Sequence, residues 1–221
     1  MGLKYDWISF DCYGTLIDWE NGISAAFDKV ARASGNTVDR ERVLSLFSRY
    51  ENEEELSYRR YREVLNRVAR RVCAELSYRT SDYLFLSESL ARWRPFADTN
   101  PVLERLARNH KLALLSNVDN DLLLETRKHF TVNFDLVITA EKVASYKPDL
   151  RHFQEARKTI GNQRWIHAAQ SYYHDIVPCS RLKIDCAWIN RKQEPLKDAK
   201  VEIAFNKPNL FGLANWLEGV D

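Results

Sequence analysis

The chain has 221 residues, 45% of them hydrophobic, which is enough for one large core or a core with a smaller inserted unit. Lys and Arg total 33 against 31 Asp and Glu, and the net charge of +2 gives no electrostatic case for nucleic acid as a partner. No apolar stretch is long enough to span a membrane, and no signal peptide is expected because Lys4 and Asp6 interrupt the apolar start.

The four cysteines are Cys12, Cys73, Cys179 and Cys186. They form no Cys-x-x-Cys pair and no zinc-type spacing with histidine, so we expect free thiols rather than disulfides or a metal site. Reduced cysteines are typical of a cytoplasmic protein, which is the location that the sequence predicts.

Short apolar runs that alternate with helical stretches predict an α/β fold. The predicted strands cover residues 5–10, 111–115, 134–139, 165–169 and 186–190, with a weaker sixth at 201–205. The predicted helices between them cover residues 100–109, 120–129, 150–160 and 174–182. This alternation is typical of a parallel, Rossmann-like sheet with helices on both faces.

Residues 21–93 break the alternation. Apolar side chains such as Leu44 and Phe47 recur there at helical spacing, and no strand-like pattern appears. Prolines follow where the α/β pattern returns. We therefore predict an α/β core formed by residues 1–18 and 95–221, with an all-helical domain inserted at residues 19–94.

Polar side chains follow four of the predicted strands. The first strand ends in Asp11, the second in Ser116 and Asn117, the third leads to Lys147 and the fourth to Asp175. In an open parallel sheet, ligands bind beyond the carboxyl ends of the strands. We therefore expect two carboxylates, a lysine and a hydroxyl to converge on one site.

Asp11 is the candidate nucleophile of this site. A carboxylate that follows a buried strand, with Gly14 close behind it, can be held rigidly and can form an ester or an acyl-phosphate. The alternative is an aspartate that only hydrogen-bonds its own turn. The polar groups at the other three strand ends favour the functional interpretation.

The residues around Asp11 also have two interpretations each. The Thr15 hydroxyl either binds a substrate carboxylate or phosphate or caps the next segment. Ser116 and Asn117 offer hydroxyl, amide and backbone N–H groups for an anion nest. Asp119, just after them, is expected to cap the helix that follows.

Lys147 and Asp175 complete the candidate site. The Lys147 ammonium would neutralise Asp11 and the charge that develops in the transition state, although a loop lysine is often merely solvated. Asp175 either caps a helix or, with Lys147, aligns water or binds a metal beside Asp11. Tyr172 either lines a pocket or packs in the core.

In chain order, these residues resemble the motifs of the haloacid dehalogenase-like superfamily. Residues 11–15, Asp-Cys-Tyr-Gly-Thr, match its nucleophile motif, and Ser116 matches the Ser or Thr that ends a strand. Lys147 before Pro148 matches the third motif, and Asp175 matches the acidic fourth motif. The resemblance covers nearly the whole chain and implies that the helical insertion is a cap domain over the site.

Tyr13 separates two chemistries within the superfamily. Phosphatases carry a second Asp at this position, which protonates the leaving group, and a tyrosine cannot do so near neutral pH. The pattern Asp-x-Tyr-Gly-Thr-Leu resembles the (S)-2-haloacid dehalogenases. That resemblance implies that Asp11 displaces halide from a small halogenated carboxylic acid, that water then hydrolyses the ester with net inversion to a 2-hydroxy acid, and that no metal or other cofactor is needed.

The chain departs from the dehalogenase pattern at three places. Tyr172 stands where the fourth motif usually has Asn, and we expect it to shrink the pocket in favour of haloacetates. Phe153 replaces a tyrosine shortly after the Lys-Pro pair. The family's halide-cradling arginine is best matched by Arg49, with Arg59 or Arg60 as the next candidates.

Two other functions are considered. A phosphatase of the same fold acting on a small phosphomonoester would need magnesium and a second acid near Asp175, where His174 stands. A non-catalytic binding or regulatory protein is disfavoured, because Asp11, Ser116, Lys147 and Asp175 are all present. The sequence leaves open the halogen, the length of the acid and whether the chain forms a homodimer.

Overall fold

A six-stranded parallel sheet lies at the centre of the protein. The structure, a computed structural model, describes residues 4–220. The outer limits of the predicted core, residues 1 and 221, lie outside that range. The strands are β1 (Trp7–Phe10), β2 (Lys111–Ser116), β3 (Leu136–Thr139), β4 (Trp165–Ala169), β5 (Asp185–Ile189) and β6 (Phe205–Lys207), in the spatial order β3-β2-β1-β4-β5-β6.

β1 is a central strand. All four of its residues are buried, as expected for a parallel strand covered on both faces. Ile8 is opposite Leu112 of β2 on one side and opposite Ile166 of β4 on the other. Because the chain continues first to one side of β1 and later to the other, the switch point of the sheet lies at the carboxyl end of β1, directly before Asp11.

Helices cover both faces of the sheet and divide its core in two. On one face, Trp7 clusters with apolar residues of α8 (Arg151–Ile160) and α9 (Val177–Arg181). On the other face, Ile8 and Phe10 cluster with residues of α5 (Thr99–Leu106), α6 (Asn120–Arg127) and α10 (Leu210–Glu218). A short helix, α7 (Ala140–Val143), follows β3. The prediction of an α/β fold with a Rossmann-like parallel sheet is confirmed.

All regular secondary structure between β1 and α5 is helical. It contains α1 (Trp19–Ala33), α2 (Arg40–Glu54), α3 (Tyr61–Glu75), α4 (Phe85–Ser89) and a 3₁₀ turn, Leu90–Arg92. We call residues 19–92 the helical insertion. Asp18 and Asp39 cap α1 and α2 by accepting hydrogen bonds from Asn21 N and Arg42 N, both at 3.1 Å. The division into two domains at residues 18/19 and 94/95 stays a prediction.

The sequence predicted that Asp119 caps the helix that follows it, α6, but Asp119 caps the start of α3 instead. This carboxylate forms no cap bond to its own helix, α6. It accepts hydrogen bonds from the backbone N–H groups of Tyr61 and Arg62, both at 2.9 Å, and so caps α3 from across the chain. The Arg60 residue before α3 supplies no side-chain cap of its own. Asp119 is therefore a fully buried tether between the core and the helical insertion.

The sixth strand and the last helix differ from the sequence prediction. The strand predicted at 201–205 begins only at Phe205. The apolar residues Val201 and Ile203 pack instead against the cluster around Trp7, which explains their alternation without strand pairing. α10 was not predicted. Asn209 starts it by accepting a hydrogen bond from Gly212 N at 2.9 Å.

Candidate active site

Asp11 is held in a tight loop at the end of β1. Its backbone N–H donates to Ala168 O at 3.1 Å, and its side chain is about one-tenth exposed. Its Oδ2 accepts a hydrogen bond from Thr15 Oγ1 at 2.7 Å. Gly14 has a φ of +96°, and a Cβ there would lie 3.1 Å from Trp19 Nε1, so this turn requires glycine. The loop therefore fixes the orientation of the carboxylate.

Lys147 lies between the two carboxylates. Its Nζ donates to Asp11 Oδ1 at 2.8 Å, to Asp175 Oδ1 at 2.6 Å and to Leu115 O at 3.0 Å. Burial by itself would lower the pKa of the Lys147 ammonium, but the attraction of Asp11 and Asp175 outweighs it and holds the pKa above its ordinary value. Lys147 is therefore a charged, fully buried bridge rather than a solvated loop lysine.

Asn117 positions Lys147. Its Oδ1 accepts a hydrogen bond from Lys147 N at 2.7 Å, and its Nδ2 donates to Lys147 O at 3.1 Å. The side-chain amide that the sequence assigned to an anion nest is thus engaged with the backbone of the neighbouring loop. Ser116 is different, because its buried Oγ has no hydrogen-bond partner among residues 4–220. Ser116 is fully buried and does not line the cavity described below, so it does not offer its hydroxyl to a ligand there.

Asp175 belongs to a buried chain of hydrogen bonds that sequence reasoning missed. Trp165 Nε1 donates to Ser9 Oγ at 2.7 Å, and Ser9 Oγ lies 2.7 Å from His167 Nδ1. Because the ionised Asp175 carboxylate can only accept, His167 Nε2 donates to Asp175 Oδ1 at 3.0 Å, and Nδ1 can then accept the hydrogen of the Ser9 hydroxyl. His167 is opposite Ser9 in the β1–β4 register, which the sequence could not show.

The environment of Asp175 keeps it ionised. Burial would raise the pKa of Asp175, but the Lys147 ammonium and the hydrogen bond from His167 outweigh it and hold the pKa below its usual range. Its second oxygen, Oδ2, has no hydrogen-bond partner within the described part of the chain. Asp175 therefore presents a buried, charged acceptor to whatever occupies the site.

Thr15 and Tyr13 do not offer their hydroxyls to a ligand. Thr15 Oγ1 donates to Asp11 and accepts from Gln170 N at 2.9 Å, so it orients the carboxylate instead of binding a substrate as expected. Tyr13 lines the cavity, but its hydroxyl lies 2.8 Å from Thr126 Oγ1. Burial raises the pKa of Tyr13 well above its ordinary value, so the phenol is a poor proton donor to a leaving group.

A cavity of about 400 Å³ lies over Asp11. The core contributes Asp11, Asn117, Lys147 and Asp175 to its lining. The helical insertion contributes apolar and aromatic side chains (Trp19, Ile23, Phe47 and Tyr61), and Trp93, directly after it, adds another. The insertion also contributes two carboxylates of the α2 region, Glu51 and Glu55. The cavity thus lies between the sheet edge and the helical insertion.

The three arginines proposed to hold the halide do not line this cavity. Arg49 is 64% exposed at its side chain and pairs with Glu53 at 3.2 Å on the outer face of α2. Arg59 pairs with Glu54 at 2.6 Å, and the half-exposed Arg60 lies near Asp119, Asp121 and Glu141. Each of these three arginines pairs with carboxylates on or near α2, which explains why none of them faces the cavity.

The position of Tyr172 also differs from the sequence expectation that this side chain shrinks the pocket. It is buried against Trp188 with ring centroids 5.3 Å apart and does not line the cavity, whereas its neighbour Tyr173 does. The reason is a wide helical turn at Tyr172–Ile176, in which Ile176 N donates to Ser171 O at 3.3 Å. Tyr172 therefore does not shrink the pocket.

Glu51 and Glu55 are the lining residues that sequence reasoning missed. A signal was present, because residues 47, 51 and 55 recur every four positions and share the helical face of the apolar Phe47. Burial raises the pKa of Glu51 to about 7 against the effect of a 2.5 Å hydrogen bond from the Tyr61 hydroxyl. Burial and repulsion from Glu51 raise the pKa of Glu55 well above its ordinary value.

The charged groups do not fit a divalent cation. Lys147 already stands between Asp11 and Asp175, the two carboxylates that would have to share a metal. No group of three or more His, Cys, Asp or Glu side chains with an arrangement suited to a metal ion occurs among residues 4–220. The four cysteines are buried and unpaired. Within the same residues, no helix combines the length and hydropathy that a membrane span requires.

The fold and the site define a hydrolase of the α/β type with an aspartate at the switch point of its sheet. The chain belongs to the haloacid dehalogenase-like hydrolase family, whose pattern matches residues 5–169. It is 28% identical to the (S)-2-haloacid dehalogenase of Pseudomonas fluorescens over 94% of each chain, and 28% identical to that of Pseudomonas putida over 95% of each chain.

Solved structures show the same fold. The L-2-haloacid dehalogenase from Xanthobacter autotrophicus with chloropropionic acid covalently bound superposes with a TM-score of 0.81 at 18% identity, over 98% of this chain and all of that one. The match of the family pattern to residues 5–169 confirms the superfamily resemblance that the sequence motifs indicated.

Proposed function

We propose that this protein is a hydrolytic dehalogenase that converts a short 2-haloacid, a haloacetate or an (S)-2-haloacid, into the 2-hydroxy acid through an ester on Asp11. The observation that carries the proposal is the buried arrangement of Asp11, Lys147 and Asp175 under the cavity. Relatives that match nearly the whole chain are (S)-2-haloacid dehalogenases. A hydrolase of carbon–halide bonds is the enzyme class that accounts for both.

In the first step, an Asp11 carboxylate oxygen attacks C2 of the acid, and the halide departs with the bonding electron pair. Thr15 and Lys147 orient the carboxylate for this attack. The carboxylate of the substrate binds next to the Lys147 ammonium, which lines the cavity. Because a halide leaves without a proton, the committed hydroxyl of Tyr13 is no obstacle.

In the second step, water attacks the ester at the aspartate carbon. The bond from the aspartate carbon to the ester oxygen breaks while the C2–O bond stays intact. The departing oxygen, which came from Asp11, takes one proton from the water and leaves in the 2-hydroxy acid. The other proton is released to solvent as the Asp11 carboxylate is regenerated. Asp175 Oδ2, which has no partner within the described chain, can accept a hydrogen bond from that water. The helical insertion acts as a cap that keeps bulk water from the ester. No step requires a metal or another cofactor.

Asp11→Asn tests the nucleophile. Halide release from chloroacetate, fluoroacetate and (S)-2-chloropropionate should fall by at least about 10³-fold, because an amide cannot form the ester. Asp149→Asn, at an exposed aspartate close to Lys147 in sequence, is the matched control and should keep its rate. Turnover by purified Asp11→Asn at the wild-type rate would refute the mechanism.

Two further measurements separate this function from a phosphatase. In a single turnover in ¹⁸O-water, the label should appear in the peptide that contains Asp11 and not in the first product molecule. Halide release should survive EDTA. Loss of activity on chelation, with hydrolysis of p-nitrophenyl phosphate restored by magnesium, would replace the dehalogenase with the phosphatase.

A further inference from the structure

The inner face of α2 carries two carboxylates without cationic partners. Glu51 and Glu55 are one helical turn apart and both line the cavity that contains Asp11. Neither forms a salt bridge within residues 4–220. Their neighbours Glu53 and Glu54 are both paired, with Arg71 and Arg59 among their partners. Arginines are therefore abundant nearby, yet they neutralise only the outer carboxylates.

Carboxyl groups outnumber ammonium groups in the cavity lining. Its carboxylates are Asp11, Glu51, Glu55 and Asp175, and its one ammonium among the described residues is Lys147. Lys147 donates its hydrogens to Asp11, Asp175 and Leu115 O, so it has no further donor for the Glu pair. The fully buried Asp175 Oδ2 also lacks a partner in the described chain. The part of an occupant that reaches Glu51 and Glu55 can supply the hydrogen-bond donors and the positive charge that the lining lacks there.

The cavity is also larger than the simplest substrate needs. A haloacetate occupies a small part of about 400 Å³. Since Tyr172 packs away from the cavity, nothing at that position shortens it. A haloacid bound at Asp11 can therefore carry a tail that extends toward α2.

We propose that Glu51 and Glu55 form a subsite for a primary ammonium group, and that the substrate is a 2-haloacid whose tail ends in that group. This inference rests on the proposed dehalogenase function. The carboxylate end of the substrate lies beside Lys147, and the ammonium end lies between the two glutamates. Hydrogen bonds between an ammonium and carboxylates are among the strongest in proteins, and they offset the cost of burying both partners.

The protonation of the empty pair agrees with this assignment. Burial raises the pKa values of both glutamates, and mutual repulsion raises that of Glu55 further. A bound ammonium reverses both effects, because it stabilises the ionised carboxylates. An uncharged tail leaves them partly protonated and without a charged partner.

Binding of inert analogues tests the subsite without turnover. Calorimetry on the full chain would compare 3-aminopropionate, 4-aminobutyrate, 5-aminopentanoate and 6-aminohexanoate with propionate, butyrate, pentanoate and hexanoate. At the best-matched length, the amino acid should bind the wild type at least about 10-fold more tightly than its plain partner. In Glu51→Gln/Glu55→Gln that preference should fall below about 3-fold.

Glu53→Gln on the outer face of α2 is the matched control and should keep the wild-type preference. Equal binding of the two series to the wild type, or a preference that the double variant retains, would overturn the subsite. The single variants Glu51→Gln and Glu55→Gln provide the same comparison if the double variant does not fold.

A turnover measurement separates this inference from the proposed function. The ratio of kcat/KM for 4-amino-2-chlorobutanoate over 2-chlorobutanoate should exceed one in the wild type and should fall below one in Glu51→Gln/Glu55→Gln. Halide release from neither acid, nor from chloroacetate, contradicts the dehalogenase and leaves the binding result to decide the subsite. Release with no preference for the amino acid contradicts the subsite alone.

Discussion

The two sides of the cavity treat their charges in opposite ways. On the sheet side, Asp11, Lys147 and Asp175 neutralise one another at distances of 2.6 to 2.8 Å. On the side of α2, Glu51 and Glu55 have no cation within residues 4–220, although paired carboxylates surround them on the same helix. The carboxylates of the sheet side thus have a cation from the protein itself, whereas those of the α2 side have none among the described residues.

The largest effect is expected on the sheet side. Lys147→Met removes the cation that lies between two buried carboxylates and should lower the free energy of unfolding by about 3–5 kcal/mol. It should also reduce halide release by at least about 10³-fold. Lys142→Met, whose side chain is 44% exposed and 3.8 Å from Glu155, should change stability by less than about 0.5 kcal/mol. Urea unfolding measures both variants, and equal stability of the two would break the comparison.

On the α2 side, we expect removal of charged groups to raise the free energy of unfolding rather than to lower it. The pKa of Glu51 is raised from 4.5 to about 7, so between these pH values the folded chain holds a proton that the unfolded chain has lost. Stability from this group is complete below about pH 4.5 and is lost as the pH rises through about 7. Glu51→Gln/Glu55→Gln should therefore raise the free energy of unfolding by about 1–3 kcal/mol at pH 8.

That gain should vanish at pH 4, where the wild-type glutamates are protonated as well. Glu53→Gln should show no such gain, because it removes a carboxylate that is paired with Arg71 and Arg49. Unfolding curves at pH 4 and pH 8 measure the difference. A double variant less stable than the wild type at pH 8 would mean that the pair has a partner in solution.

Asp119 links the core to the helical insertion, and we expect its replacement to have an intermediate effect on the free energy of unfolding. Asp119→Ala leaves the first N–H groups of α3 without an acceptor and should cost about 1–2 kcal/mol of stability. Asp121→Ala, at a half-exposed carboxylate that pairs with Arg62, is the control and should cost less than about 0.5 kcal/mol. If both variants unfold at the same urea concentration, Asp119 does not hold the helical insertion to the core.

The residues on the sheet side of the cavity could be predicted from the sequence, because a parallel sheet brings the ends of its strands together. Strands that run in the same direction end at the same edge, so residues far apart in sequence, such as Asp11 and Lys147, meet there. His167 was missed for a related reason. Inside a buried strand a histidine looks like one more strand residue, and only the register opposite Ser9 reveals its role.

The α2 side could not be predicted in the same way. Residues 51–55 read Glu-Asn-Glu-Glu-Glu, so carboxylates point to several faces of the helix and composition does not say which ones face the cavity. That choice depends on how α2 packs against α3 and α1. The orientation of the Tyr172 side chain could not be predicted either, because the wide helical turn at Tyr172–Ile176 changes the direction in which the side chains of this turn point.

Arg49 should have the smallest effect. Its guanidinium pairs with Glu53 one turn along α2, and such exposed pairs contribute about 0.5 kcal/mol or less. Arg49→Ala should therefore keep its stability within that margin and its halide release within about 2-fold, as should the surface variant Arg70→Ala. A halide-holding arginine would instead be needed where negative charge develops, and its loss would lower kcat. If Arg49→Ala alone loses more than about 10-fold of halide release at unchanged stability, α2 must turn this residue inward during turnover. The cavity would then gain a cation, and the contrast between its two sides would hold only for the resting enzyme.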